Sequence, residues 1–229
     1  MSMTVPYQDP ILKLDAVNLN LKSEAGLVHI LKDVSLSLPK GKTVGVMGPS
    51  GSGKTTLLMI LSGLERPTSG TVTVAGSDLG ALDEDSLAAF RRDNIGIVFQ
   101  NFHLIPTMTA LENVAVPLEL AGRKDAFKLA EAALTAVGLG HRLTHYPSQL
   151  SGGEQQRVAV ARAFAPGPKL ILADEPTGNL DADTGKMVTD LMFGLTRERG
   201  TTLLLVTHEA ALAQRCDMQV HIRDGRIAA

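Results

Sequence analysis

The first forty residues alternate apolar and polar positions, with Ile11, Leu12, Leu14, Val17 and Leu19, then Val28, Ile30, Val34, Leu36 and Leu38, on either side of a turn-like stretch from Ser23 to Gly26. A period of two predicts strands with one wet face. The apolar run from Thr43 to Met47 ends in Gly48-Pro49-Ser50-Gly51-Ser52-Gly53, after which Leu57, Leu58, Ile60, Leu61 and Leu64 recur at helical spacing. The order is strand, glycine loop, helix. Residues 71–74, closing on Ala75-Gly76, predict another short strand, and residues 83–92 a helix with acids in its first turn and Arg91 and Arg92 at its solvated end.

From Gln100 to about Ala165 the pattern turns helical, with helices expected over 110–119 (interrupted at Pro117), 125–137 and 153–164. Alternation then returns: strand 170–173, helix 183–199, strand 202–206, helix 209–215, and strand 219–222 turning at Asp224-Gly225. Strands alternating with helices predict an α/β fold with a parallel sheet covered on both faces. The helical block, about residues 101–165, reads as an insertion into that core, and residues 1–229 as a single domain.

Composition narrows the partners. With 44% apolar residues the chain has ample material for a core, and 22 basic against 24 acidic residues leave a net charge of −2. The basic footprint of a nucleic-acid binder is missing, and an aromatic content of 3% without tryptophan offers no stacking platform for single strands. No nucleic-acid partner is expected. The longest apolar runs, 57–61 and 203–206, fall far short of the roughly 18 residues a membrane span needs. Residues 1–10 lack the basic start and apolar block of a secretory signal, and the single cysteine, Cys216, read as a buried small hydrophobe, fits a reducing compartment. A cytoplasmic location is the expectation.

Gly48, Pro49, Ser50, Gly51, Ser52, Gly53, Lys54 and Thr55 satisfy G-x-x-x-x-G-K-[ST] directly after a strand and at the start of a helix, with Thr56 continuing that first turn. Glycines let successive amides curl around phosphate oxygens, and the helix N-terminus adds its positive end. Lys54 is expected to reach the β- and γ-phosphates of ATP and the Thr55 hydroxyl to ligate Mg²⁺. The apolar strand 170–173 delivers Asp174 as a second magnesium ligand and Glu175 as a carboxylate placed to take a proton from an attacking water. Gln100 and His208 follow apolar strands in the same half of the sheet, where ligands of open α/β sheets gather. Both are candidates to face the γ-phosphate, Gln100 through water or metal. A second small-residue loop, Leu150-Ser151-Gly152-Gly153-Glu154-Gln155-Gln156-Arg157, opens a helix without a lysine and suits an anion held elsewhere.

The phosphate loop, Gln100, LSGGEQQR, LILADE, Asn179-Leu180-Asp181 and His208 occur in the order and at spacings that resemble the ATP-binding cassette family over essentially the whole chain. The resemblance implies a P-loop NTPase (RecA-like) core with an N-terminal antiparallel β subdomain and an inserted α-helical signature subdomain. It also implies that Ser151, Gly152 and Gly153 contact the γ-phosphate of ATP held on a partner subunit and that Asp181 crosses between subunits. Glu175 becomes the general base and His208 the switch histidine. The expected assembly is a head-to-tail homodimer with ATP at its interface. The segments 102–114 and 173–181 resemble the LolD, MacB and YbbA branch, and 201–208 with 215–217 lean toward YbbA. That implies a separate permease, with four membrane helices and a large periplasmic domain, on whose cytoplasmic face this chain would sit at the inner membrane. The implied work is moving lipoproteins or other hydrophobic cargo.

Where the family usually stacks adenine on an aromatic, this chain reads Leu19-Asn20-Leu21-Lys22; Leu21 is the candidate for the base, and the only early aromatic, Tyr7, lies too far upstream. Phe102, Leu104, Ile105, Met108 and Leu111 are expected to line a groove for a short permease helix, with Gln100 at its edge. A soluble ATPase of the same family without a permease is the alternative. A small-molecule kinase would leave LSGGE and Glu175 without a purpose.

Overall fold

The computed structural model describes residues 10–23 and 26–228; Tyr7 and part of the turn-like stretch after Ser23 lie outside them. The chain opens with two long strands, β1 (Leu12–Ser23) and β2 (Gly26–Leu38), which pair antiparallel; β1 also pairs with β4 (Ser69–Val74), which carries the short β5 (Ser77–Asp78). The central sheet has the order β10-β9-β3-β8-β7-β6, in which β3 (Thr43–Met47), β6 (Ile95–Phe99), β7 (Leu170–Asp174), β8 (Thr202–Val206) and β9 (Met218–Arg223) are parallel. β10 (Arg226–Ala228) returns antiparallel on β9.

Continuous apolar runs are what a strand needs when both of its faces are covered. In β7, Leu170 and Leu172 join the core shared with the antiparallel sheet, whereas Ile171 and Ala173 join the core under the helices. β8 divides the same way, Leu204 and Val206 to one side and Leu203 and Leu205 to the other. The predicted α/β architecture with its N-terminal antiparallel sheet is the observed one.

α1 (Lys54–Leu61) follows β3, and α2 (Glu84–Asn94) precedes β6. Between β6 and β7 lie α3 (Ala110–Leu120), α4 (Ala126–Ala136) and α5 (Gly152–Phe164), and α6 (Ala182–Arg199) and the short α7 (Ala210–Ala213) flank β8. The expected break at Pro117 does not occur, because α3 runs through it to Leu120. A proline removes one amide bond from the ladder, while Val114 and Leu118, 0% and 1% exposed, bury that face, and a capping box at Thr109 and Glu112 fixes the helix start. Arg91 is not a free helix end either, since its guanidinium donates to the Gly63 carbonyl at 2.8 Å. Cys216 is buried, which pushes its thiol up to about 11.

Candidate functional site

β3 ends at Met47 and the chain enters the glycine loop without room to spare. A Cβ on Gly48 would overlap the Ile222 carbonyl of β9, so the loop starts flush against the sheet. Gly53 caps α1 at φ 101°, a left-handed conformation that glycine adopts without steric cost, and offers no side-chain cap. The amides of the first helical turn, which have no acceptor inside the helix, therefore open toward the loop. Lys54 folds back over it, donating to the carbonyls of Gly48 at 2.8 Å and Pro49 at 2.9 Å. The C-terminal hairpin closes the far side: Gly225 donates to the Ser52 carbonyl at 3.2 Å and accepts from the Lys32 amide at 2.8 Å.

A cleft of about 670 Å³ lies over this loop, bounded by Gly48, Pro49, Lys54, Thr55 and Thr56, and across from them by Gln100, Asp174, Glu175 and His208. Four strand ends meet here: β3 delivers the loop, β6 Gln100, β7 the two acids, and β8 the histidine. The Thr55 hydroxyl donates to Asp174 at 2.9 Å. Burial holds the Asp174 carboxyl above the usual carboxylate range, helped by the Glu175 charge and opposed by the Thr55 bond and Lys54. Such a carboxylate is short of positive charge, and with the hydroxyl it forms a hard-oxygen pair of the kind Mg²⁺ takes when phosphate and water complete its shell. Among the described residues, no cluster of three or more His, Cys, Asp and Glu gathers to hold a metal by itself.

Glu175 sits at φ 42°, with its amide bonded to the Val206 carbonyl at 2.9 Å and its carbonyl accepting from Gly178 at 3.0 Å. This tight turn brings its carboxylate to 3.2 Å from the His208 ring nitrogen Nδ1. Gln100 donates to the Asn179 side chain at 3.1 Å, and Asn179 returns a bond to the Gln100 carbonyl at 3.2 Å.

The other predicted residues stand apart. Ser151, Gly152, Gly153 and Asp181 do not line the cleft. Ser151 heads α5 through a capping box with Glu154, and Asp181 caps α6, accepting from the Thr184 amide at 3.0 Å. Hydrogen bonding with the Thr184 side chain, then with the Thr184 amide and the neighbouring backbone amides, lowers the Asp181 carboxyl.

Three features were not anticipated. Ile30, on β2, lines the cleft beside the loop, whereas Leu21 does not. Only the long-range register of the antiparallel sheet delivers Ile30, and no local signal marks it. Asn113, 0% exposed, bonds the backbone at Ile105, Met108 and Thr109 and so shapes the segment after Gln100; an amide on the inner face of a predicted helix was the available clue. Arg162 donates to the carbonyls of Phe102 and His103, both at positive φ, at 2.9 and 2.7 Å. Of the residues expected to line an apolar groove, Leu104 and Leu111 pack onto the helical core and Ile105 is exposed; a hollow of about 400 Å³ next to Gln100 is walled by other residues, Leu58, Met59, Leu64, Phe99 and His103.

A family model described as ABC transporter matches residues 31–178. The lipoprotein-releasing system ATP-binding protein LolD of Shewanella denitrificans is 48% identical over 222 residues, 96% of this chain and 95% of that protein. The ABC transporter ATP-binding protein YbbA of Escherichia coli is 51% identical over 202 residues, 87% of this chain and 89% of that one. A solved dimer of the ATP-binding cassette MJ0796, in a post-hydrolysis state bound to ADP and Pi, matches with a TM-score of 0.88 at 42% identity, covering 95% of this chain and 97% of that chain.

Proposed function

The chain belongs to the ABC transporter family, and on that premise we propose that it is the ATP-binding and hydrolysing subunit of a membrane complex, working as a head-to-tail homodimer with two ATP molecules at the interface. The observation that carries this is the division of the site. One cleft gathers the phosphate loop with Asp174, Glu175 and His208, while the serine-headed α5 stands outside it. A second copy would bring its own Ser151, Gly152 and Gly153 over the γ-phosphate, with Asp181 alongside. The dimeric assembly of the MJ0796 cassette with ADP and Pi supports that arrangement.

In this reading the loop amides cradle the phosphates and Lys54 exchanges the Gly48 and Pro49 carbonyls for the β- and γ-phosphate oxygens. Thr55 and Asp174 would hold Mg²⁺, with Gln100 at its edge; when bound, the ion neutralises charge on the phosphates. Glu175 takes a proton from the water that attacks the γ-phosphorus, ADP leaves, and His208 steadies the γ-phosphate from beside Glu175. Ile30 supplies an apolar contact at the mouth of the cleft, where the family's aromatic is missing.

In this reading the permease is a separate chain; among the described residues no helix is long and apolar enough to cross a membrane. The hollow beside Gln100 is the docking place we assign to a short permease helix. Kinship with LolD and YbbA supports an envelope role on lipoproteins or other hydrophobic cargo, with this subunit on the cytoplasmic face of the inner membrane.

Mixing two inactive chains tests the shared site. Lys54→Ala removes one half of each site and Ser151→Arg the other, so mixed dimers keep one intact site and regain ATPase activity. Absence of rescue in verified mixed dimers refutes the arrangement.

A further inference from the structure

Ser151 is set in place by more than its own helix. Its amide donates to Glu154 at 2.9 Å and its hydroxyl accepts from the Glu154 amide at 3.3 Å, which turns the serine and the amides after it outward at the head of α5. The Glu154 carboxylate is in turn gripped by Arg142, whose Nε donates to it at 3.0 Å. The Ser151 amide is the strongest influence holding the Glu154 carboxyl below its usual range, with the Ser151 side chain and Arg142 adding to it. Arg142 reaches the other way too, with Nη1 at 3.0 Å from His145 Nε2. Because a guanidinium only donates, that ring nitrogen accepts and the proton rests on Nδ1, a buried atom with no partner. Two backbone bonds tie the same strap to the start of α3: the Ala110 amide donates to the His145 carbonyl at 2.8 Å and the Leu111 amide to the Leu143 carbonyl at 3.0 Å.

We propose that Arg142 is a positioning residue for the half of the nucleotide site that acts on the other subunit, holding Glu154 so that Ser151 and the following amides meet the γ-phosphate in one fixed geometry. The inference rests on the shared-site reading above. A guanidinium suits the task because its planar fork serves two acceptors at once, whereas a lysine ammonium is a single point of charge. Arg142 lies outside the phosphate-loop cleft of its own chain, so its loss leaves nucleotide binding by the separate subunit intact and weakens the step in which two subunits close.

The test is complementation across the dimer. Arg142→Ala alone is expected to bind fluorescent ATP as the parent does and to hydrolyse it about tenfold more slowly, the scale of one lost charge-assisted bond. Mixed with Lys54→Ala chains, it regains activity to the level of the Ser151→Arg and Lys54→Ala mixture, since the one intact site then draws its Ser151 from the chain that retains Arg142. If the Ser151→Arg control is rescued and Arg142→Ala is not, or if Arg142→Ala alone is fully active, the positioning role is refuted; if the control itself fails, the shared site is what fails. Arg142→Lys, which keeps the charge and the stem, provides the same comparison should the alanine variant not fold.

Discussion

Glu175 occupies a left-handed backbone conformation at φ 42°, which costs a side-chain-bearing residue of the order of 1 kcal/mol or more and persists where its surroundings enforce it. The enforcement here is its amide bond to Val206, and the result is a carboxylate facing His208 instead of continuing the strand. Glu175→Gln keeps that turn and removes the base, so ATP binding should survive while turnover falls about 10²-fold or more, read by steady-state phosphate release. Asp174 makes an opposite trade. Its raised pKa means that the folded chain holds this proton more tightly than the unfolded chain, so the associated stability is complete below the ordinary value of 3.8 and is lost as pH rises through the raised one. At neutral pH the bare carboxylate is a burden, and Asp174→Asn should raise the melting temperature of the ligand-free chain slightly, about 1–2 °C once solvent screening in the open cleft is allowed for. The same variant should lose Mg²⁺-dependent ATP hydrolysis, and a ligand-free melting temperature that falls would contradict the assignment. The positions of Asp174, Glu175, Gln100 and His208 around one cleft were legible because each lies at or just past the end of an apolar strand. Ile30 was not, because its place depends on which strands pair.

Among the helices, ends were legible and interruptions were not. Ser or Thr followed three positions later by Glu marks the starts of α3 and α5, and both form capping boxes. Local propensity ranks Pro117 as a breaker, whereas burial on either side of it carries the helix through. Thr109→Ala should cost about 1 kcal/mol, as loss of an N-cap does, measurable as a lower denaturation midpoint. Strand β6 and helix α5 meet at Gly96, where an added Cβ would overlap the Ala163 carbonyl and come within 2.6 Å of Ile171 Cδ1. Backbone cannot yield there as a side chain tip can. Gly96→Ala should destabilise by about 1–3 kcal/mol and also slow hydrolysis, since it pushes apart the strand that delivers Gln100 and the helix that presents Ser151; an unchanged ATPase rate at full folding would show that the two elements are not rigidly linked.

At the scale of the molecule, the parallel sheet is a partition between two apolar cores, one shared with the antiparallel sheet and the other with the helices. The period of two inside β7 and β8 encodes this partition, yet a continuous apolar run hides it, so the layers emerged from the sequence only through the alternation of strands and helices. The proposed closure of two copies predicts that Glu175→Gln with saturating Mg·ATP elutes at twice the monomer mass in light scattering, whereas the parent protein returns to monomer as ATP is consumed. The hairpin of β9 and β10 gives the fold a temporal order. Because Gly225 braces Ser52 and the Ile222 carbonyl abuts Gly48, the phosphate loop depends on a hairpin far along the chain to finish the cradle. A growing polypeptide therefore finishes its nucleotide cradle only once the β9–β10 hairpin has been made, and ATP can reward the chain only from that point.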